Sequence, residues 1–170
     1  MTLIAFLSVG YAVLPVSAFA EHRSMQNNLP VSAPGFAHYR TGTIFRGKPA
    51  KVIINTAKAR QFRTRLREDS RLGPNFAGHY TVVFWGCGTG CAQIAIVNAI
   101  TGKVIWLPQD WVDIPDEQNI KTNRNYRLDS RLLIVTKSHY DARASFTGYF
   151  YLMDRDRLRL IKQLETDPSQ

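Results

Sequence analysis

The stretch FAGHYTVVFWGCGTGCAQIAIV, residues 76–97, carries the clearest structural signal in the chain. Apolar side chains occupy both alternating sets of positions in its first half, which predicts a central strand buried on both faces. One face would carry Phe76, Gly78, Tyr80, Val82 and Phe84, and the other Ala77, His79, Thr81, Val83 and Trp85. A glycine-rich loop separates this strand from the alternating run CAQIAIV. We therefore expect the chain to reverse direction between two antiparallel strands.

The glycine-rich loop contains the two cysteines of the chain, Cys87 and Cys91. In an oxidising compartment such a pair favours a structural disulfide, with redox chemistry, free thiols and metal binding as the alternatives. A redox pair usually opens a helix, whereas the residues after Cys91 alternate like a strand. Folded back between glycines, the loop would present successive backbone amides to an anion or a partner. Its candidate binding residues are Gly86, Gly88, Thr89 and Gly90.

The first twenty residues resemble a signal peptide. An uncharged apolar run ends in Ala18-Phe19-Ala20, the pattern after which a signal peptidase cuts. The run carries no Lys or Arg and is interrupted by Pro15, and a membrane anchor is the alternative. We predict cleavage after Ala20 and a periplasmic or secreted protein that retains no transmembrane helix. Residues 21–35 then form a flexible arm, and residues 36–170 form one domain.

The segment TAKARQFRTRLRED, residues 56–69, predicts the main helix. Asn55 or Thr56 would cap it, and an apolar stripe at helical spacing would face the core. The stripe consists of Ala59, Phe62 and Leu66. Short, β-branched or alternating runs predict strands at residues 36–45, 49–54, 103–108, 131–138, 148–154 and 158–165. Because the connections are short, we predict an α+β fold, an antiparallel meander of about six strands with one main helix packed on it.

The charge balance favours an anionic partner. The chain has 22 Lys and Arg residues against 13 Asp and Glu residues, a net charge of +9. Arg60, Arg63 and Arg67 flank the apolar stripe of the helix, where they would contact phosphate or a membrane or would simply snorkel around a packed helix. Trp106 and Trp111 frame an acidic loop and would form a contact patch or cap the core edge. No feature points specifically to nucleic acid.

The sequence contains no motif of a known catalytic class. A nucleophile elbow, a P-loop, an HExxH motif and an EF-hand spacing are all missing. His79 and His139 are the histidines that a fixed site would use, but their spacing assembles no nucleophile, base and orienting group. We predict a non-enzymatic binding module with no cofactor and no metal, which binds an anionic envelope component or another protein. The alternative is an envelope enzyme that uses His79 or His139.

The segment GPNFAGHYTVVFWGCGTGCAQIAIVNAITGKV, residues 73–104, resembles a group of exported bacterial proteins of uncharacterised function. The resemblance implies export and a mostly β domain, and it transfers no catalytic residue. Strand, stapled loop and strand are also similar in architecture to the Ivy-type inhibitors of vertebrate lysozyme, whose loop plugs the enzyme cleft. That resemblance implies a periplasmic inhibitor of a cell-wall hydrolase as a further alternative. Those loops carry a histidine that Gly88-Thr89-Gly90 lacks, and a basic chain would repel a cationic lysozyme.

Overall fold

The computed structural model describes residues 33–113, 125–139 and 146–166. The predicted signal peptide, the arm up to residue 32 and most of the acidic loop lie outside these ranges. In chain order the elements are a 3-10 helix (Phe36–Tyr39), α1 (Ala57–Gln61), α2 (Arg63–Ser70), β1 (Tyr80–Gly88), β2 (Cys91–Asn98), β3 (Val104–Trp106), β4 (Val112–Asp113), β5 (Tyr126–Arg127), β6 (Ser130–Ser138), β7 (Phe146–Asp154) and β8 (Arg157–Thr166).

The predicted helix forms as two consecutive segments that meet at Phe62. The Thr56 side chain accepts a hydrogen bond from the backbone amide of Ala59 at 3.1 Å, which confirms the predicted N-cap. Phe62 has φ −104° and ψ 19°, outside the helical region, and it separates α1 from α2. The predicted stripe faces the core, since Ala59 and Leu66 are buried and Phe62 is half-buried against Trp85.

The first sheet is built around the β1–β2 hairpin. The two strands pair antiparallel from Tyr80 opposite Asn98 to Gly88 opposite Cys91. β3 pairs with the later half of β2, and β4 pairs with its beginning, so both lie along the same edge. The second sheet is a meander in the order β5-β6-β7-β8, with all neighbours antiparallel.

Three apolar clusters show how the layers of the protein are arranged. The inner core lies between the two sheets and includes Val82 and Ile96 from the first and Leu133 and Tyr151 from the second. The outer core lies between the first sheet and the helices, where Leu66 packs with the β1 and β2 side chains Val83, Trp85, Ala95 and Val97. A third cluster on the far side of the second sheet joins Leu132, Ile134 and Phe150 to the 3-10 helix. The order is therefore helices, first sheet, second sheet and N-terminal segment.

The α+β class is confirmed, but the prediction of one sheet with about six strands is wrong. The described residues form eight strands in two sheets. The physical reason is that β6 and β7 are buried on both faces, like β1 and β2, so each sheet needs a cover on either side. Stacking the sheets meets part of this need for both of them.

Three of the predicted strand segments differ most from the structure. Residues 36–39 form the 3-10 helix rather than the start of a strand. Residues 49–54 are extended but lie outside both sheets, attached by hydrogen bonds from the Ala50 and Ile53 amides to the carbonyl oxygens of Ala99 and Gly102. β1 begins at Tyr80, because Ala77 and Gly78 have φ values of 45° and 81° and turn the chain back on itself.

Candidate functional site

A basic groove opens between the extended segment 48–52 and the end of α2. It has a volume of about 610 Å³ and is lined by Lys48, Pro49, Ala50, Lys51, Val52, Arg67, Ser70 and Arg71. Four of these residues are cations, and no carboxylate is among them. Their head groups lie at the protein surface, since Lys48, Lys51, Arg67 and Arg71 are all exposed.

The outer core positions both walls of the groove. On one wall, Val52 and Ile54 pack on the outer core, which leaves the alternate residue Lys51 exposed. On the other wall, Leu66 is fully buried and Ser70, four residues later, lies on the same helix face. Arg67 flanks that face and therefore lies at its exposed edge.

Ser70, one of the residues that line the groove, carries a buried hydroxyl group that lacks a hydrogen-bond partner in the described part of the chain. Ser70 is 4% exposed, and its Oγ is one of three buried side-chain atoms without a partner in the described part of the chain. A buried hydroxyl left unpaired costs about 1–3 kcal/mol of folding free energy. Native proteins seldom retain such a group without a reason, and one reason is that a ligand completes the hydrogen bond.

The cations of the groove repel one another in the unliganded protein, and an anion would relieve that repulsion. The C-terminus of α2 is the negative end of its helix dipole, which stabilises the positive charges of Arg67 and Arg71 even without a ligand. The dipole does not explain Lys48 and Lys51 on the opposite wall. The α2 carboxylate of Asp69 faces elsewhere: burial raises its pKa, Arg65 opposes that shift, and its charge acts on Tyr126 of β5.

The structure separates the three arginines that the sequence grouped together. Arg67 lines the groove, whereas Arg60 and Arg63 do not. Arg63 instead donates a hydrogen bond from Nη1 to the Arg60 carbonyl oxygen at 3.3 Å. At about 1.5 Å of rise per residue, Arg60 lies roughly 10 Å along the helix from Arg67.

Four polar residues of the groove were missed by sequence reasoning: Lys48, Lys51, Ser70 and Arg71. Arg71 follows Arg67 at a spacing of four, so helical periodicity alone could have added it. Nothing local to residues 48–51 indicates that they lie against the helix.

The predicted disulfide between Cys87 and Cys91 is present, with Cα atoms 5.4 Å apart. Thr89 and Gly90 form the turn of the hairpin, and residues 86–90 are all exposed. The groove lies near the opposite end of β1, where Thr81 donates to the Gly73 carbonyl oxygen beyond α2. Because β1 rises about 3.4 Å per residue, the loop and the groove are roughly 25 Å apart.

The two tryptophans of the predicted contact patch have different neighbours in the described structure. Trp106 is half-buried and packs with Phe62 and Trp85 in the outer core, at ring distances of 6.3 Å and 6.2 Å. Lys58 lies over its ring at 4.7 Å. Trp111 is covered by Lys137, whose Nζ lies 4.4 Å from the ring centroid.

The two candidate histidines lie far apart, since His79 directly precedes β1 of the first sheet and His139 directly follows β6 of the second. The His79 and Tyr80 rings are tilted by 35° with their centroids 4.1 Å apart. Burial lowers the pKa of His79, and the Asp156 charge partly opposes that shift. His139 contacts Thr147 through Nε2 and Oγ1 at 2.7 Å, near the start of β7. Asp156 follows the other end of β7. At about 3.4 Å per residue the two sites are therefore more than 20 Å apart.

No described helix is long and apolar enough to cross a membrane. Within the described ranges no group of three or more His, Cys, Asp or Glu residues could hold a metal ion.

The fold and the groove define a two-sheet α+β protein with a basic surface site. Comparison with protein-family models, curated proteins and solved structures finds no match to this chain. The resemblances noted from the sequence therefore stay predictions.

Proposed function

We propose that this protein is an exported, non-enzymatic binding module that holds an oxyanion, such as a phosphate group of an envelope component, in the basic groove. The observation that carries the proposal is the groove itself, which four cations line from both walls with no carboxylate among the lining residues. The buried Ser70 hydroxyl is a further donor that a change of side-chain rotamer would turn toward a bound ligand. An oxyanion supplies both missing elements, negative charge for the cations and an acceptor for the hydroxyl.

Each wall of the groove has a distinct part in binding. Arg67 and Arg71 present planar donor groups that suit two oxygens of one phosphate, while Lys48 and Lys51 act as mobile point charges from the opposite wall. The Ser70 hydroxyl has almost no accessible surface in the unliganded protein, and it donates to a ligand oxygen once its side chain rotates toward the groove. A ligand with several oxygens satisfies this arrangement better than a single carboxylate does.

Export to the periplasm or the exterior is part of the same proposal. The Cys87–Cys91 disulfide supports it, because such bonds persist mainly in oxidising compartments. The signal peptide of residues 1–20 supports it as a sequence prediction. Intact-mass measurement of the protein recovered from cells would test the predicted cleavage after Ala20.

Binding of inorganic pyrophosphate, followed by amide chemical shifts in a two-dimensional NMR titration, tests the proposed site. We expect the largest shifts at Lys51, Ser70 and Arg71. The Arg67→Gln, Arg71→Gln double variant should bind at least about tenfold more weakly, because hydrogen bonds to charged groups contribute about 1.5–3 kcal/mol each.

The matched control is Arg60→Gln, Arg63→Gln, which removes the same charge from the same face of the protein. At 0.15 M salt the screening length is about 8 Å. Arg60 lies beyond this distance from Arg67, and Arg63 lies about 6 Å from it along the helix, so the control should lose clearly less affinity than the groove variant. An equal loss of pyrophosphate affinity in both double variants would mean that binding depends on diffuse surface charge and not on the groove. No shift at the groove in any variant would refute the proposal.

A second candidate function is inhibition of a cell-wall hydrolase by the disulfide loop. The observation that favours it is the exposure of residues 86–90 at the tip of a stapled hairpin. Inhibition of a cell-wall hydrolase that is lost in a Thr89→Arg variant and kept in the groove variants would support this function. Equal inhibition by both variants would count against the loop.

A further inference from the structure

One large apolar side chain is exposed to solvent beside the basic groove. Leu72 is 87% exposed, whereas the other exposed large hydrophobic residues of the described chain range from 37% to 54%. A single exposed leucine is ordinary on a protein surface. Here its position matters more than its exposure, because it follows Arg71 directly.

The backbone holds Leu72 at this place. Its amide donates to the Asp69 carbonyl oxygen at 3.1 Å, and the Gly73 amide donates to the Ser70 carbonyl oxygen at 3.3 Å. Pro74 follows and cannot extend the helix. The leucine is therefore presented on an ordered turn, next to the cations, rather than on a loose tail.

The groove cations and the exposed Leu72 side chain lie side by side, and this combination favours some anionic ligands over others. A free phosphate or another soluble anion would satisfy the cations but leave Leu72 in water. At a membrane surface, phosphate groups lie at the level of the head groups and hydrocarbon lies just below them. Such a surface accepts cations and a short apolar side chain in adjacent layers.

We propose that the groove and Leu72 together form a docking surface for an anionic phospholipid membrane, with lipid phosphates in the groove and Leu72 inserted beside them. This inference rests on the proposed function, because it names the source of the oxyanion. One leucine and a few cations give reversible attachment, since stable anchoring requires larger apolar surface or a second signal. Docking should therefore weaken strongly as salt is raised.

Flotation with vesicles tests the docking surface. Binding of the mature protein, residues 21–170, is compared on phosphatidylglycerol–phosphatidylcholine vesicles and on phosphatidylcholine vesicles, with binding expected on the first alone. Each cation near an anionic surface contributes about fivefold to the partition coefficient. Arg67→Gln, Arg71→Gln should therefore lower the partition coefficient about 25-fold. Leu72→Ser should lower it about tenfold through lost apolar burial.

Two control variants match these changes on the second sheet. Leu160→Ser removes another leucine that is 46% exposed, and Arg157→Gln, Arg159→Gln removes two exposed cations of the same strand, β8. Both should leave partitioning within about threefold of the original protein, since weak general attraction is shared by all surface charge. A loss as large as that of the groove variants would overturn the localised surface.

A fluorescent reporter locates the contact. Leu72→Trp should add emission that shifts to the blue and is quenched by lipid-attached bromine when anionic vesicles are added, whereas Leu160→Trp should not respond. Unchanged emission at position 72 with vesicles bound would overturn insertion of this residue.

Pyrophosphate titration separates the two levels of inference. Pyrophosphate bound in the groove without vesicle binding would overturn the membrane proposal and leave the oxyanion site standing. If the protein bound neither pyrophosphate nor vesicles, both proposals would be overturned. Pyrophosphate binding that Leu72→Ser leaves unchanged, together with weaker vesicle binding in that variant, would support both.

Discussion

Gly102 lies where the extended segment of the basic groove comes closest to the turn after β2. Its φ is +76°, and a Cβ atom placed there would lie 2.0 Å from the Lys51 carbonyl oxygen. The Gly102 carbonyl oxygen also accepts from the Ile53 amide at 2.8 Å. A residue without a Cβ is therefore required for this wall of the groove to reach its position.

Gly102→Ala should destabilise the protein by about 2–4 kcal/mol, since it combines an unfavourable φ with a backbone clash. The control is Gly42→Ala, where a Cβ would meet nothing within 4 Å. Urea denaturation measures both changes. Equal midpoints for the two variants would show that the segment moves aside at little cost.

Ser70 is a second residue at which one atom, the hydroxyl oxygen, affects both stability and binding. Replacing Ser70 by Ala removes an unpaired buried hydroxyl, so the free energy of unfolding should rise by up to about 1 kcal/mol. Pyrophosphate binding should weaken in the same variant, because the ligand loses a donor. A stability gain with weaker binding distinguishes a ligand-binding hydroxyl from a structural one. A loss of stability would mean that the hydroxyl is satisfied in the free protein.

Among the elements, the β1–β2 hairpin connects the two core layers. Its alternating side chains enter the inner core on one face, as Val82 does, and the outer core on the other, as Val83 does. The disulfide closes only the tip of this hairpin. Most of its stability should therefore come from the buried strands.

Cys87→Ser, Cys91→Ser should lower the free energy of unfolding by about 2 kcal/mol, the loop-entropy effect of closing a five-residue ring. Pyrophosphate binding in the distant groove should not change. Denaturation of the oxidised and reduced protein provides the same comparison without substitution. Complete unfolding of the variant would contradict a local role for the staple.

In the whole molecule, one carboxylate in the β7–β8 turn links the two sheets. Asp156 Oδ1 accepts hydrogen bonds from the Tyr80 hydroxyl at 3.0 Å and from Asn98 Nδ2 at 2.7 Å. Its Oδ2 lies 3.6 Å from Lys103 Nζ. Burial raises the pKa of Asp156, but these partners outweigh burial and hold the pKa below its usual value. Burial raises the pKa of Tyr80 to about 12, so its hydroxyl stays protonated and donates.

Asp156→Asn should destabilise the protein at pH 7 by about 1–3 kcal/mol through the loss of charged hydrogen bonds. Asparagine tolerates the φ of 61° at this position. The carboxylate stabilises the fold fully above its unfolded pKa of about 4 and loses this effect as pH falls through its lower folded pKa. The difference between the two proteins should therefore be constant from pH 7 to about 5 and shrink below about 4.

Urea denaturation at pH 7, 5 and 3 measures this difference, and NMR should show a further decrease in the pKa of His79 once the Asp156 charge is removed. Asp154→Asn is the control, since that carboxylate contacts the exposed Arg155 at 3.6 Å instead of linking the sheets. A difference as large at pH 3 as at pH 7 would mean that the charge of Asp156 is not the source of the effect.

Local patterns determined much of the secondary structure. Alternation over residues 80–85 and 92–97 predicted both hairpin strands, and the cysteine spacing predicted the disulfide. The helical stripe and the Thr56 cap were also recognisable, as each depends on residues a few positions apart. The two-residue strands β4 and β5 were missed, since so few residues carry no period of their own.

The stacking of the sheets and the basic groove were decided by the tertiary structure. Periodicity shows which face of a strand is buried but not what covers it, so β1 gave no sign that it would pack on β6 and β7. Arg67 was predicted as an anion contact, but Lys51, sixteen positions earlier, meets it only because Val52 and Leu66 share one apolar layer. Burial of that layer brings the charges together, and no local pattern encodes a contact made by distant side chains.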